Sequence, residues 1–321
     1  MNKSVIVGVD IGGTTVKIGL ITISGEIIQK WEIKTKKSSD GTSVINDIWE
    51  SVLSKITEIS ISKEDILGIG IGAPGFIDGV NGYVYEAVNI GWKEMKLTDY
   101  MSNKTGLPVF VENDANIAVL GENWLGAGHG ASDIIAVTLG TGVGGGIIAA
   151  GSILNGANGT AGEIGHITVD PTGYSCNCGR IGCLETVASA TGIARQAMKV
   201  IEGEPNSKLA EIYQSNREIT AKHVFELAEL GDEESNRIIV ATADTLGLVL
   251  ANLAATLNPS KILIGGGVSK AGETLLQPIK NSFTKYALPR TSEVCEIRIA
   301  ELGNDAGIIG AAYLVKEKMN L

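Results

Sequence analysis

Val5-Ile6-Val7-Gly8-Val9-Asp10-Ile11-Gly12-Gly13-Thr14-Thr15-Val16-Lys17-Ile18-Gly19-Leu20-Ile21 reads as apolar strand, Gly/Thr turn, apolar strand. The pattern returns at Ile134-Ile135-Ala136-Val137-Thr138, then Gly140-Thr141-Gly142-Val143-Gly144-Gly145-Gly146, then Ile147-Ile148-Ala149-Ala150. A spacing of roughly 130 residues is too long for a solenoid. It fits two related α/β domains, each opening on a hairpin, although any buried hairpin carries the same pattern. Residues 134–150 carry no charge, yet their glycines make a buried hairpin a better reading than a membrane span.

Helical periodicity fills the stretches between strands. Val44, Ile45, Ile48, Val52, Ile56 and Ile59 recur at helical spacing. Asp114 is a good N-cap type for a helix over 115–125, and Thr220 for one through Leu230. A long helix over about 233–257 should stop at Asn258-Pro259, and Asp305 should cap a last helix through about Lys316. Alternating strands and helices define an α/β class. With 321 residues and no Pro- or Ser-rich linker, two directly packed domains are expected, hinged near residues 112–118.

Composition removes several function classes. The net charge is −10, which argues against a general nucleic-acid binder. Aromatic residues are only 5 %, too few for a stacking platform. Apolar residues reach 44 %, enough for a sizeable core. Residues 1–5 lack a leader pattern, and the cysteines are not spread as a disulfide framework, so a reduced, cytoplasmic protein is expected.

Glycine is over-used, with 42 of 321 residues or about 13 %. Three glycine turns follow apolar strands, at residues 12–15, 140–146 and 265–267. A residue without Cβ lets backbone amides approach an anion, and Thr hydroxyls add donors. One such turn would be structural; three of one style point to a nucleotide. Asp10 is placed to orient water on Mg²⁺. There is no GxxxxGK[ST], so no Walker loop. GxGxxG occurs at Gly70-Gly72-Gly75 and Gly140-Gly142-Gly145, but neither opens a helix, so a dinucleotide fold is rejected.

His166, Cys176, Cys178 and Cys183 give H-x9-C-x-C-x4-C. Three thiolates and one imidazole match a closed tetrahedral zinc site, structural because no position stays open. Such a metal would staple residues 172–185, and His166 would orient Glu163. Asp114, at a strand end and helix start, is either an N-cap or a functional carboxylate kept ionised by the helix dipole. Asn113, Glu163 and Glu185 are further acceptors of the kind that grip hydroxyl-rich ligands. No Ser-His-Asp or Cys-His nucleophile is apparent.

Asp10-Ile11-Gly12-Gly13-Thr14, Glu112-Asn113-Asp114-Ala115, Leu139-Gly140-Thr141-Gly142, Glu163-Ile164-Gly165-His166 and the run from Cys176 to Glu185 together resemble the ROK family (repressors, open reading frames, kinases). Gly72-Ala73-Pro74-Gly75-Phe76-Ile77-Asp78 and Ala87-Val88-Asn89-Ile90-Gly91-Trp92 are most similar to the family's bacterial glucokinases. The resemblance implies an actin-like (ribonuclease H-like) fold with ATP in an interdomain cleft. It implies a small domain of residues 1–115 completed by 305–321, and a larger one of 116–304. Asp10, Gly12, Gly13, Thr14, Gly140, Thr141, Gly142 and Gly144 would surround the phosphates and Mg²⁺, with Gly266 and Gly267 near the adenosine. Asn113, Asp114, Glu163, His166 and Glu185 would bind the sugar, and Asp114 would be the base. Lys17, two residues beyond Thr15, receives no firm phosphate role. Family repressors carry an N-terminal helix-turn-helix, for which a first strand at about Ser4 leaves no room.

The expected activity is therefore ATP-dependent phosphorylation of glucose at its 6-hydroxyl, by a cytoplasmic homodimer with no nucleic-acid or membrane partner. The alternatives are a kinase for N-acetylmannosamine, mannose or allose, and a non-catalytic sugar sensor. An actin-like filament or chaperone ATPase would leave Glu163, His166 and the cysteines unexplained.

Overall fold

The computed structural model describes residues 4–36, 41–88 and 90–321; Met1, Asn2, Lys3 and Asn89, quoted above, lie outside them. The first half forms β1 (Val5–Ile11), β2 (Thr15–Thr22), β3 (Ile27–Lys34), β4 (Ile66–Ala73), β5 (Phe76–Asp78), β6 (Tyr83–Ala87), β7 (Trp92–Met95) and β8 (Val109–Asn113). The second forms β9 (Ile134–Leu139), β10 (Val143–Ala149), β11 (Ser152–Ile153), β12 (Lys261–Gly265) and β13 (Glu296–Ile299).

Two five-stranded sheets share one topology. The first runs β3-β2-β1-β4-β8 and the second β11-β10-β9-β12-β13. In each, an antiparallel meander of three strands continues into two strands parallel to the first. The repeated hairpins are therefore the openings of two equivalent domains. β5-β6-β7 form a small third sheet.

The first core gathers β1, β2, β4 and β8 against the Ser43–Glu58 helix through Val9, Ile18, Ile48 and Ile71. The second gathers β9, β10 and β12 against the helices of residues 185–283. The Glu233–Leu257 helix has the length and apolarity of a membrane span, but 56 % of its most apolar window is buried in the fold.

The last helix, Ala306–Met319, crosses back onto β1 and β4 and packs along the Asp114–Leu125 helix. Glycine permits the approach: a Cβ at Gly70 would overlap the Ala311 carbonyl. Neither party is a flexible side chain. Gly70→Ala should therefore destabilise the protein by about 3 kcal/mol or more, read as a lower urea midpoint with little change in slope.

Two helix starts differ from the sequence reading. Asn113, not Asp114, is the N-cap: its side-chain oxygen accepts from the Ala115 and Asn116 amides at 2.8 and 3.3 Å. The chain is still extended at Asn113, which pairs with Ala73, so the cap falls one residue early. Asp305 makes no capping bond; a 3₁₀ turn, Gly303–Asp305, has already begun the helical path. Its carboxylate instead accepts from the Lys30 ammonium at 2.7 and 2.9 Å.

Candidate functional site

The two glycine hairpins and the β8-to-helix junction open onto a common cleft. A cavity of about 350 Å³ is lined by Asp10, Lys17, Asp114, Gly140, Gly142 and Gly144. Gly303 and Asn304 wall it on another side and also line a second cavity, of about 340 Å³, with Gly266 and Gly267. Gly12, Gly13, Thr14 and Thr141 do not line the first cavity; they form the turns joining β1 to β2 and β9 to β10. Thr35 braces the first turn, donating its hydroxyl to the Gly12 carbonyl at 2.7 Å and its amide to the Thr14 carbonyl at 2.9 Å.

Asp10, the last residue but one of β1, lies opposite Lys17 in register, with Lys17 Nζ 3.9 Å from Asp10 Oδ2. Burial pushes the Asp10 carboxyl above the usual carboxylate range, and Lys17 offsets only part of that. Gly307 of the last helix lies against this side chain, where a Cβ would come within 2.6 Å of the carboxyl carbon.

Asp114 occupies the first turn of its helix, and its Oδ1 accepts from the Ala115 amide at 2.8 Å. The helix start was expected to keep this group ionised. Instead its pKa is pushed up to about 6, chiefly by burial, with Asp10 and Glu163 repelling the charge and the Ala115 amide opposing them. Desolvation and two like charges outweigh one helix terminus. A carboxyl so placed is a proton acceptor matched to neutral pH.

Asn113 does two jobs. Besides capping the helix, its Nδ2 donates to the Gly75 carbonyl at 3.1 Å, tying the junction to the turn after β4. Beneath it lies Glu112, which the sequence reading left without a role. Glu112 is buried and accepts from the Asn113 amide at 2.8 Å, Asn116 Nδ2 at 3.0 Å and Asn155 Nδ2 at 3.2 Å. Asn155 belongs to the segment after β11, so this network joins the two halves of the chain. A charged residue in the apolar strand Val109–Asn113 was the available signal. Gly303 and Asn304 offered only a turn pattern.

On the far side, His166, Cys176, Cys178 and Cys183 converge, with ligand atoms all within 4.8 Å of one another. Cys176 Sγ lies 3.6 Å from His166 Nδ1, and Cys178 Sγ lies 3.6 Å from Cys183 Sγ. The thiol separation is far beyond a disulfide bond. Zinc–ligand bonds of about 2.0–2.3 Å in a tetrahedron put neighbouring donors roughly 3.5–3.8 Å apart. The donor set and spacing fit that metal. The other face of the imidazole, Nε2, sits 3.9 Å from Glu163 Oε2. Glu185 accepts from the Val143 amide at 3.0 Å through Oε2, with Oε1 3.6 Å from Cys176 Sγ. Glu163 thus faces the imidazole and Glu185 one of the thiols, and Glu163 also bears on Asp114.

Paired α/β domains of one topology, glycine hairpins at a shared cleft and a near-neutral aspartate at the junction define a phosphotransferase of the actin-like ATPase class. The family model described as "ROK family" matches residues 6–318, and the chain belongs to the ROK family. It is 54 % identical over 315 residues to a glucokinase of Halalkalibacterium halodurans, covering 98 % of this chain and 96 % of that one. It is 40 % identical over 320 residues to a glucokinase of Thermotoga maritima, covering 99 % of each. A ROK family glucokinase from Streptomyces griseus, solved with glucose and AMPPNP, superposes with a TM-score of 0.80 at 36 % identity, covering 98 % of this chain and 99 % of that one.

Proposed function

We propose that the protein is an ATP-dependent glucokinase that converts glucose and ATP to glucose 6-phosphate and ADP. The carrying observation is Asp114, a carboxyl poised near pH 6 in the cavity that also holds Asp10 and the β9–β10 glycine turn. Asp114 accepts the proton of the 6-hydroxyl as O6 attacks the γ-phosphorus; the O6–P bond forms, and the bond to the bridging β,γ-oxygen breaks with ADP leaving. Asn113, Glu163, His166 and Glu185 hold the sugar hydroxyls and so fix O6 for in-line attack. Amides of Gly12, Gly13, Thr14, Gly140, Thr141, Gly142 and Gly144 cradle the phosphates, and Gly266 and Gly267 approach the adenosine.

Asp10 fits a water-coordinated Mg²⁺, being a half-buried carboxylate at the cleft whose charge Lys17 only partly offsets. That ion, when bound, supplies neutralisation of phosphate charge. His166, Cys176, Cys178 and Cys183 would hold a structural Zn²⁺, which stiffens the loop between Glu163 and Glu185. Residues 1–115 with 305–321 form the small domain in this reading and 116–304 the large one, supported by the packing of the last helix on β1 and β4. The same reading, through the family resemblance, makes the protein a cytoplasmic homodimer; its charge of −10 speaks against nucleic acid as a partner.

A coupled assay of ADP release tests this reading. Glucose should support turnover with a kcat/KM well above those for N-acetylmannosamine, mannose and allose. Glucose binding without ADP release would leave only a sensor, and a preference for another hexose would reassign the substrate.

A further inference from the structure

We infer that Glu122 is a positioning residue for the nucleotide half of the reaction, gripping the segment after β13 that walls the cleft and fixing it to the helix that carries Asp114. The inference rests on the nucleotide reading above and adds a residue to it. Glu122 lies two turns beyond Asp114 on the same helix and is only 3 % exposed. Its Oε1 accepts from the Leu302 amide at 2.7 Å, and its Oε2 from the Glu301 and Ala127 amides at 3.0 and 3.1 Å. A buried carboxylate is retained only where strong donors hold it, and here two of the three donors are main-chain groups of a distant segment.

That segment leads directly into Gly303 and Asn304, which with Ala118, Thr138 and Ala306 line both cavities of the cleft, and Glu122 itself borders the second. Gly303 sits at φ +55°, so the chain bends in a left-handed conformation immediately after the grip. The helix side of the link is equally fixed. A Cβ at Gly121 would overlap the Ala306 carbonyl, and one at Gly310 would overlap the Ile117 carbonyl. The Asp114–Leu125 helix and the start of the last helix therefore meet backbone to backbone. Glu122 closes this frame, with the proton acceptor at one end and the nucleotide wall at the other.

Glu122→Gln tests the role because it keeps the size and one acceptor oxygen but turns an NH₂ group toward a backbone N–H. Losing one charge-assisted hydrogen bond is expected to raise KM for ATP and Kd for ADP about tenfold or more, while glucose affinity holds. Glu122→Ala should raise both further; if it does not fold, the Gln variant carries the test. Combined with Asn304→Ala, the Gln change should be non-additive for ADP affinity, since both act on one wall. ADP binding by the wild type is the control: its absence would sink the kinase reading itself. A folded Gln variant with wild-type ADP affinity and KM for ATP, or additive effects in the double variant, would overturn the positioning role even if Tm fell.

Discussion

Asp114→Asn lowers kcat by about two to four orders of magnitude, the usual worth of a general base, while glucose still binds. The amide keeps the side chain's shape and can still hydrogen-bond a hydroxyl, but it cannot take the proton. The pH profile carries the same prediction. With the carboxyl titrating at about 6, wild-type kcat/KM should climb as pH rises through 6 and then level, because only the ionised form accepts a proton. The variant's residual activity should lose that limb. Stability moves the opposite way. The folded pKa is raised above the ordinary 3.8, so the folded chain holds this proton more tightly than the unfolded one. The group's contribution is most favourable below about pH 4 and is lost as pH rises through 6. Above that it costs at most roughly 3 kcal/mol, less for the part of the carboxyl that reaches the open cleft. Asp114→Asn should accordingly melt at a higher temperature than wild type at pH 7.5, and the gain should shrink toward pH 4.5. An active variant with an unshifted profile would refute the base assignment.

This opposition between activity and stability was not visible in the sequence. At residue 114 the chain shows an acid at a helix start, which by itself argues for an ordinary or lowered pKa. The raised value comes chiefly from burial that no local pattern records, and then from Asp10, brought close by the β1-β4-β8 strand order, and Glu163, from the second half of the chain. What could be read locally was read: apolar runs broken by Gly/Thr turns at residues 5–21 and 134–150 marked both hairpins, and three thiols and an imidazole between 166 and 183 marked a cluster that the fold brings within 4.8 Å. The shared strand order of the two sheets is a property of long-range pairing. So is the Glu112–Asn155 link, whose partners lie in different halves of the chain. The helix cap shows the limit at short range. Asn113 and Asp114 are both good capping residues, and the choice was made by the register of β8 on β4.

Removing the metal should disable sugar binding without dissolving the fold, and the geometry says why. His166 presents Nδ1 to the cysteines and Nε2 to Glu163. A metal on Nδ1 leaves the proton on Nε2, so ligation sets this imidazole as a donor toward Glu163 and a sugar hydroxyl. Glu185 is held from the other direction, between Cys176 and the Val143 amide. Between them the loop is built of turns and the short bridges Thr168–Cys183 and Ser175–Ile181, with backbone bonds from Cys176 to Arg180 and from Gly182 to Tyr174 and the Arg180 bond to the His166 carbonyl at 2.7 Å, and it has no helix or long strand of its own. Purified protein should contain about one zinc per chain by elemental analysis. Chelation, or Cys178→Ser, should weaken glucose binding by about 10- to 100-fold and open residues 172–185 to proteolysis. Helical content should stay near that of the wild type, because the β1–β4 core and the Glu233–Leu257 helix do not touch the metal. ADP affinity should change far less than glucose affinity, since Asp10, Asn304 and Gly266 line cavities to which none of the four ligands contributes. A metal-free preparation with full glucose affinity would show that the four ligands hold the loop as thiols and an imidazole alone.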